Sequence, residues 1–437
     1  MFGYYIDLAL RSLKRTPVLT ALMVLAIGLG IGASMTMITV LHVMTGDPLP
    51  GRSAHLYHPY LDPLPVKFST VPIAADPRNN LTWPDTVALL QAHRGERQAA
   101  MAGGSLLVWP QRIDLQPFYA DGRYTTSDFF AMFGVSFVAG GGWMTADDKA
   151  RADVVVLAES LAKKLYGTAD AVGRSVRLGD RDYRVVGVIK DWSPTPMFYA
   201  DASAKQYSDS DKFFLPLSVA VDRSLQINGN ISGWGKTYAP GNLRDPESTW
   251  VQFWIQLDTP AQAEAYRRFL VDYSAEQKAL GRFQRPAANA KLYSLMGWLA
   301  HENLVPDDVR LQFWLAIGFL GVAMLNIVAL LLAKFLRRSG EISVRRAMGA
   351  RKRDIFVQFG IESVLIGVAG GLLGLGIAEI GLWSIRRRPD DYAHLASMDL
   401  SMLVITVLLA IVTSVLAGLL PAWRACRVPP ALQLKTL

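Results

Sequence analysis

Four long apolar stretches interrupt an otherwise mixed chain of 437 residues. They cover residues 18–43, 311–333, 355–385 and 400–423. As helices, all four are long enough to cross a hydrocarbon layer about 30 Å thick. The pattern therefore predicts an α-helical membrane protein with four transmembrane helices.

The segment before the first stretch, residues 1–17, has apolar positions at helical spacing, and Arg11, Lys14 and Arg15 lie toward its end. This is typical of an amphipathic helix in the headgroup region, which we place on the cytoplasmic side. A cleaved signal peptide is the alternative. The apolar run that follows is longer than the signal core of about 7–15 residues, so we expect an uncleaved anchor.

The region between the first two stretches, residues 44–310, has the pattern of a soluble domain. Apolar runs of strand length lie at 152–157, 175–178, 183–189, 212–217 and 249–257. Helical patterns lie at 84–92, 160–166 and 260–280. Strands alternating with helices predict an α+β or α/β domain. Because one crossing precedes it, we expect this domain outside the cytoplasm.

Charge is divided unevenly between these parts. Residues 45–310 hold 28 Lys and Arg against 29 Asp and Glu, whereas the remainder holds 17 against 8. Binding of nucleic acid requires a basic face on the folded domain, so this balance excludes it as the expected function. The single cysteine, Cys426, lies outside the domain, which therefore contains no disulfide of its own.

The segment between the second and third stretches, residues 334–354, is strongly basic. Eight Lys or Arg between residues 334 and 359 face only Glu341 and Asp354, which predicts a cytoplasmic location. A cytoplasmic tail, residues 424–437, follows the fourth stretch. Basic residues are usually concentrated on the cytoplasmic side of a membrane. Arg386 to Arg388 are an exception, because they lie in the short external loop, residues 386–399.

Glycines recur at helical spacing within the first and third apolar stretches. The five that we select as helix-packing or dimer positions are Gly28, Gly32, Gly367, Gly371 and Gly374. Small residues four apart allow two membrane helices to approach closely, within the chain or with another copy. Glu362 and Glu379 lie near the ends of the third stretch, which favours interfacial snorkelling over a proton relay.

The basic segment also carries a family motif. The string GEISVRRAMGA at 340–350, followed by RKRDI, resembles the cytoplasmic loop of MacB- and FtsX-type ABC transporter permeases. The resemblance implies a coupling helix that docks into a separate ATPase subunit. The residues that it assigns to this contact are Glu341, Ile342, Arg345, Arg346, Met348 and Gly349.

A second resemblance lies in the external region. The string VVVLAESLA at 154–162 and the glycine-containing turns after it are similar to a MacB-type periplasmic domain. This implies a porter-like part and an inserted Sabre-like part, which we place at about 119–247. The chain's ending, residues 421–432, also matches the family pattern.

Motifs for chemistry within the chain itself are weak. The string GNISGWGKT at 229–237 resembles a phosphate-binding loop only at its end, so we expect ATP and Mg²⁺ on another chain. His55, His58 and Asp62 are too few for a metal site, and we expect surface histidines. We predict no catalytic residue, metal or cofactor on this chain.

The resemblance implies a multi-pass permease subunit in a bacterial inner membrane, with a large periplasmic domain. A second copy or a paralogue would form a dimer, and a periplasmic adaptor and outer-membrane channel would complete an exporter of a peptide or small molecule. An FtsX-like regulatory or lipoprotein-releasing complex is the alternative. A membrane-anchored hydrolase is disfavoured because the sequence contains no evident nucleophile and base.

Overall fold

The computed structural model describes residues 2–68, 76–200, 210–234, 241–303, 307–337, 344, 348–349, 351–387, 398 and 400–427. The chain divides into two compact units. We call Met1–Thr45 with Val305–Leu437 the membrane unit, and Gly46–Leu304 the sheet unit.

The described helices are α1 (Phe2–Arg15), α2 (Pro17–Thr45), α3 (Trp83–Ala92), α4 (Phe129–Phe133), α5 (Thr145–Ala150), α6 (Glu159–Tyr166), α7 (Leu217–Asp222), α8 (Pro260–Ala279), α9 (Leu295–His301), α10 (Asp307–Arg337), α11 (Lys352–Arg386) and α12 (Leu400–Arg427).

The described strands are β1 (Leu56–Tyr60), β2 (Leu81–Thr82), β3 (Arg97–Trp109), β4 (Phe118–Thr125), β5 (Phe137–Gly140), β6 (Val154–Ala158), β7 (Ser175–Leu178), β8 (Arg181–Ile189), β9 (Phe213–Pro216), β10 (Ser232–Gly233), β11 (Ser248–Gln256) and β12 (Lys291–Ser294).

Among the described residues, three helical stretches are long and apolar enough to cross a membrane. They are Pro17–Thr45, Val309–Lys334 and Arg353–Arg386. The first three predicted spans are thus confirmed as helices, since an uninterrupted apolar run of about 20 residues has few other stable conformations in lipid. In α12 the described apolar portion, Met402–Gly418, is shorter.

The helices of the membrane unit pack with α11 at the centre, against α1, α2 and α12, while α2 also contacts α10. One side of α2 is buried, including Ile27 and Ile31. Leu22, Leu25 and Leu29 of the same helix remain exposed. An apolar helix surface open to its surroundings is suited to lipid or to another apolar helix.

The sheet unit is built on a mixed sheet with the strand order β12-β1-β11-β3-β4-β9-β6-β8-β5. Strand β7 pairs with β3 and β8, and the short strands β2 and β10 pair with β11. The β4–β9 and β6–β8 pairs are parallel, and the other pairs are antiparallel. The predicted mixed α and β class of this region is therefore confirmed.

Both faces of the central strand β6 are buried. Successive residues of a strand point to opposite faces, so Val155 of β6 enters one core and Val156 enters the other. Helices α3, α6, α7 and α8 contribute to the first core, while α4 and α9 contribute to the second. This explains why β6 reads VVVLA, without polar alternation.

The predicted inserted part, about 119–247, is continuous with its surroundings. Its first boundary falls inside β4, which pairs with β3 from Val108–Phe118 to Met101–Thr125. Strands from the predicted porter-like and Sabre-like parts join one connected sheet.

The prediction that His58 lies on the surface was wrong. Leu56, His58 and Tyr60 alternate along β1 and are all buried. The His58 ring centroid lies 3.7 Å from that of Trp298, and its Nε2 lies 3.1 Å from the Asn79 carbonyl oxygen. Burial away from water lowers the pKa of His58 to about 3, so the side chain is neutral at physiological pH.

We predict that Gly367→Ala destabilises the membrane unit. A Cβ at Gly367 would meet Ser414 Cβ at 2.8 Å and the Ala410 carbonyl oxygen at 3.1 Å, so two helices must separate. Overpacking of this kind costs about 1–3 kcal/mol, which thermal unfolding in detergent should detect. Gly376→Ala on the same helix is the control, because no atom lies within 4 Å of its added Cβ. Equal unfolding temperatures for the two variants would contradict the predicted close packing.

We also predict a pH dependence from His58. Its folded pKa lies below the ordinary value of 6.5, so between pH 6.5 and about 3 the unfolded chain binds a proton that the folded chain excludes. Stability should therefore fall as the pH falls through this window, by up to about 1.4 kcal/mol per pH unit from this group.

The test compares the free energy of unfolding of the full chain with that of His58→Gln, from pH 6.5 down to about 4.5. The glutamine variant retains a donor toward Asn79 and should show the shallower slope. His55→Gln is the control, because the His55 side chain is 47% exposed. A slope unchanged by His58→Gln would refute the prediction.

Candidate functional site

The predicted coupling residues lie in the chain between α10 and α11. Glu341, Ile342, Arg345 and Arg346 lie outside the described residues. Met348 is exposed and donates its N–H to the Val344 carbonyl oxygen over 3.0 Å. Gly349 follows with a φ of +99°, a conformation that glycine adopts without strain. The chain thus turns shortly before α11.

The five selected glycines lie at contacts between helices of this one chain. Cβ atoms built at Gly28 and Gly32 of α2 would meet Leu373 and Ile377 of α11. Gly374 of α11 faces Ile31 and the Gly28 carbonyl oxygen, and Gly367 and Gly371 face α12. The chain's own helices cover these positions, and a role of the five glycines in a dimer stays a prediction.

The two acidic residues of the third apolar stretch lie in different surroundings. Glu362 is completely buried and accepts hydrogen bonds from Lys334 and from Ser12, the latter over 2.9 Å. The predicted interfacial snorkelling is therefore wrong for Glu362, because its partners come from two neighbouring helices. Glu379 is half exposed and pairs with Arg386 on its own helix.

The strand that follows the first membrane helix is a neighbour of the strand that precedes the second one. β1, which follows α2 in the chain, pairs with β12 from Tyr57–Ser294 to Tyr60–Lys291. Helix α9 follows β12 directly and begins at a Ser294 cap, whose hydroxyl accepts from the Gly297 N–H. Only five residues, 302–306, separate α9 from α10.

Helix α9 is held by specific contacts at its C-terminal end. Trp298 packs against buried His58 with the two rings tilted by 32°, and the His301 ring stacks on Tyr293 with 4.6 Å between centroids. The side-chain amide of Asn79 donates to Glu302 at the C-cap. Aromatic and hydrogen-bonded contacts on several sides make α9 a rigid continuation of the sheet unit.

An ion pair and a hydrogen bond link the segment around Asp76 to β1, close to α9. Arg78 pairs with Asp76 at 2.6 Å, and Tyr60 donates to the same carboxylate over 3.3 Å. Burial acts to raise the pKa of Asp76, but hydrogen bonds from Arg78 outweigh it and lower that pKa. Asp76 therefore remains ionised at neutral pH and retains its contacts with Arg78 and Tyr60.

Asp62 and the described part of the string at 229–237 make structural contacts. Asp62 is buried and accepts from Asn289 over 2.8 Å and from Arg285 over 3.5 Å. Among the residues that the structure describes, no group of three or more His, Cys, Asp or Glu could hold a metal ion. In the string at 229–237, Ser232 and Gly233 pair with β11 as a strand, and Lys236 and Thr237 lie outside the described residues.

Two family models match the chain. Residues 20–272 match the MacB-like periplasmic core domain, and residues 313–430 match the FtsX-like permease C-terminal domain. Their order follows the observed order of α2, the sheet unit and the helices α10 to α12.

Curated relatives agree with this assignment. The macrolide export ATP-binding/permease protein MacB 2 of Aeromonas hydrophila is 25% identical over 311 residues, which cover 70% of this chain and 41% of the relative. The pyoverdine export ATP-binding/permease protein PvdT of Pseudomonas aeruginosa is 24% identical, with 81% and 47% covered. The chain thus spans less than half the length of these relatives.

The crystal structure of the periplasmic region of MacB from Actinobacillus actinomycetemcomitans aligns with 56% of this chain and 92% of that chain, at 13% identity and a TM-score of 0.37. The family models carry the assignment, because the first alone covers more than half of the 437 residues. The chain belongs to the MacB family of ABC transporter permeases, with a MacB-like periplasmic core domain followed by an FtsX-like permease C-terminal domain.

Proposed function

We propose that this chain is the permease subunit of an exporter in the inner membrane, and that it converts ATP hydrolysis by separate ATPase subunits into movement of its periplasmic domain. The observation that carries the proposal is the continuity of α10. This helix runs without a break from Asp307 to Arg337, about 46 Å at 1.5 Å per residue. It is joined to α9 at one end and to the predicted coupling segment at the other.

In this mechanism the ATPase subunits close on ATP and push on residues 341–349. A helix transmits an axial or rotational displacement with little loss, because its backbone hydrogen bonds resist stretching. The displacement passes along α10 to α9 and then to β1 and β12. The cargo, a peptide or small molecule, need not pass between the membrane helices.

The remaining parts of the proposal concern topology and partners. We propose four membrane spans, with α12 as the fourth and both termini in the cytoplasm. ATP and Mg²⁺ are held by the ATPase subunits, two permease copies or paralogues form a dimer, and a periplasmic adaptor links the complex to an outer-membrane channel. Binding of a cell-wall hydrolase or a lipoprotein chaperone in place of an adaptor would instead favour the regulatory or lipoprotein-releasing alternative.

The topology predicts where an impermeant thiol reagent reacts with single cysteines in a Cys426→Ser background. Ile113→Cys in the fully exposed β3–β4 loop and Ala393→Cys should react from outside the cell. Ala350→Cys should react only after permeabilisation. Reaction of Ala350→Cys in intact spheroplasts, or protection of Ala393→Cys, would contradict four spans.

The coupling role predicts the effect of Arg345→Glu with Arg346→Glu. We expect normal membrane insertion but a loss of about tenfold in affinity for the ATPase subunits, within the range of ordinary coupling energies. Binding is measured with the purified full chain in nanodiscs. Arg267→Glu with Arg268→Glu is the matched control, an exposed arginine pair on α8 of the sheet unit. Unchanged ATPase affinity in the first variant would remove the docking role.

A further inference from the structure

One buried charge pair in the membrane unit joins three helices. The Lys334 ammonium at the end of α10 donates to Glu362 Oε1 on α11, and both side chains are essentially inaccessible to solvent. The Ser12 hydroxyl of α1 donates to the same carboxylate oxygen over 2.9 Å. We call Ser12, Lys334 and Glu362 the clamp.

The clamp lies at both borders of the predicted coupling segment. Lys334 is the first residue of 334–354, and Glu362 lies about two turns beyond its end. The next residue, Ser363, is fixed from the other side, because its carbonyl oxygen accepts from the Ser414 hydroxyl of α12 over 2.5 Å. The first third of α11 is therefore tied to α1, α10 and α12 at two consecutive residues.

Packing alone does not explain charges at this position. A buried ion pair gains little stability over well-packed apolar residues of similar volume, because both ions lose their hydration. Ionisable groups between membrane helices are costly and usually serve a function. What the pair does provide is a directional link that breaks if α10 slides relative to α11.

We propose that the clamp is a positioning device that locks the cytoplasmic ends of α10 and α11 together, so that force on the coupling segment moves α10 as a rod. Without it, the same force would separate the two helix ends and dissipate before reaching α9. This inference rests on the proposed function, which supplies the force.

The test replaces the clamp by apolar residues in the variant Ser12→Ala/Lys334→Met/Glu362→Met. The matched control removes a second ion pair of α11, in Glu379→Met/Arg386→Met, where Glu379 is 55% exposed. Both full chains are reconstituted with ATPase subunits in nanodiscs. Spin labels at Met296→Cys on α9 and Phe356→Cys on α11, in a Cys426→Ser background, report their separation with and without ATP and vanadate.

We expect the clamp variant to bind the ATPase subunits and hydrolyse ATP like the wild type, while most of the vanadate-induced change in label separation is lost. The control variant should keep the full change. A full change in the clamp variant would overturn the inference. Failure of the wild-type chain to bind the ATPase subunits would instead overturn the proposed function.

If the apolar variant does not accumulate in the membrane, the exchanged pair Lys334→Glu/Glu362→Lys decides. This variant restores the link between α10 and α11 with reversed charges. A wild-type change in label separation supports the clamp. A folded exchanged variant that binds the ATPase subunits but shows no change overturns it.

Discussion

The membrane unit depends on the close approach of α11 to its neighbours, which glycine permits. Gly370 of α11 would place a Cβ 2.4 Å from Ile27 Cγ2, and Gly32 of α2 would place one 2.6 Å from Ile377 Cγ2. In lipid there is no hydrophobic drive between helices, so dispersion contacts at short distance and polar links must hold them. Helix α11 packs against α2 and α12, while α10 packs against α2 and α12 on its own account.

This constraint explains how much of the membrane unit could be predicted. The apolar runs fix the spans to within a few residues, since lipid leaves an apolar stretch of that length few alternatives to helix. The partners of Glu362 could not be predicted, because Ser12 and Lys334 are 350 and 28 residues away in the chain. Nothing local distinguishes a carboxylate that snorkels from one that meets a lysine on another helix.

In the sheet unit, too, features set by local sequence could be predicted, and features set by residues distant in the chain could not. Strands β6, β8, β9 and β11 are rich in branched and aromatic residues and were predicted. The long strand β3 was missed, because Ala and Gly disfavour strands by local propensity. The small residues of β3 make room for side chains of the neighbouring strand, because a Cβ at Gly104 would lie 2.3 Å from the Tyr124 ring on β4. His58 was missed for a related reason, since only the pairing of β1 with β12 brings Trp298 over it.

The two units hold their helices by different kinds of contact. In the sheet unit, α9 is fixed by broad aromatic surfaces, whose contacts are many, individually weak and tolerant of small shifts. In the membrane unit, a charged contact between Lys334 and Glu362 links α10 to α11, and a small displacement of such a contact costs much more. In the proposed mechanism, a charged contact at one end of α10 and a broad aromatic contact at α9 would let α10 move without disrupting the sheet unit. Lys334 and Glu362 lie beside the predicted coupling segment, and Trp298 and His58 lie at α9, as that proposal requires.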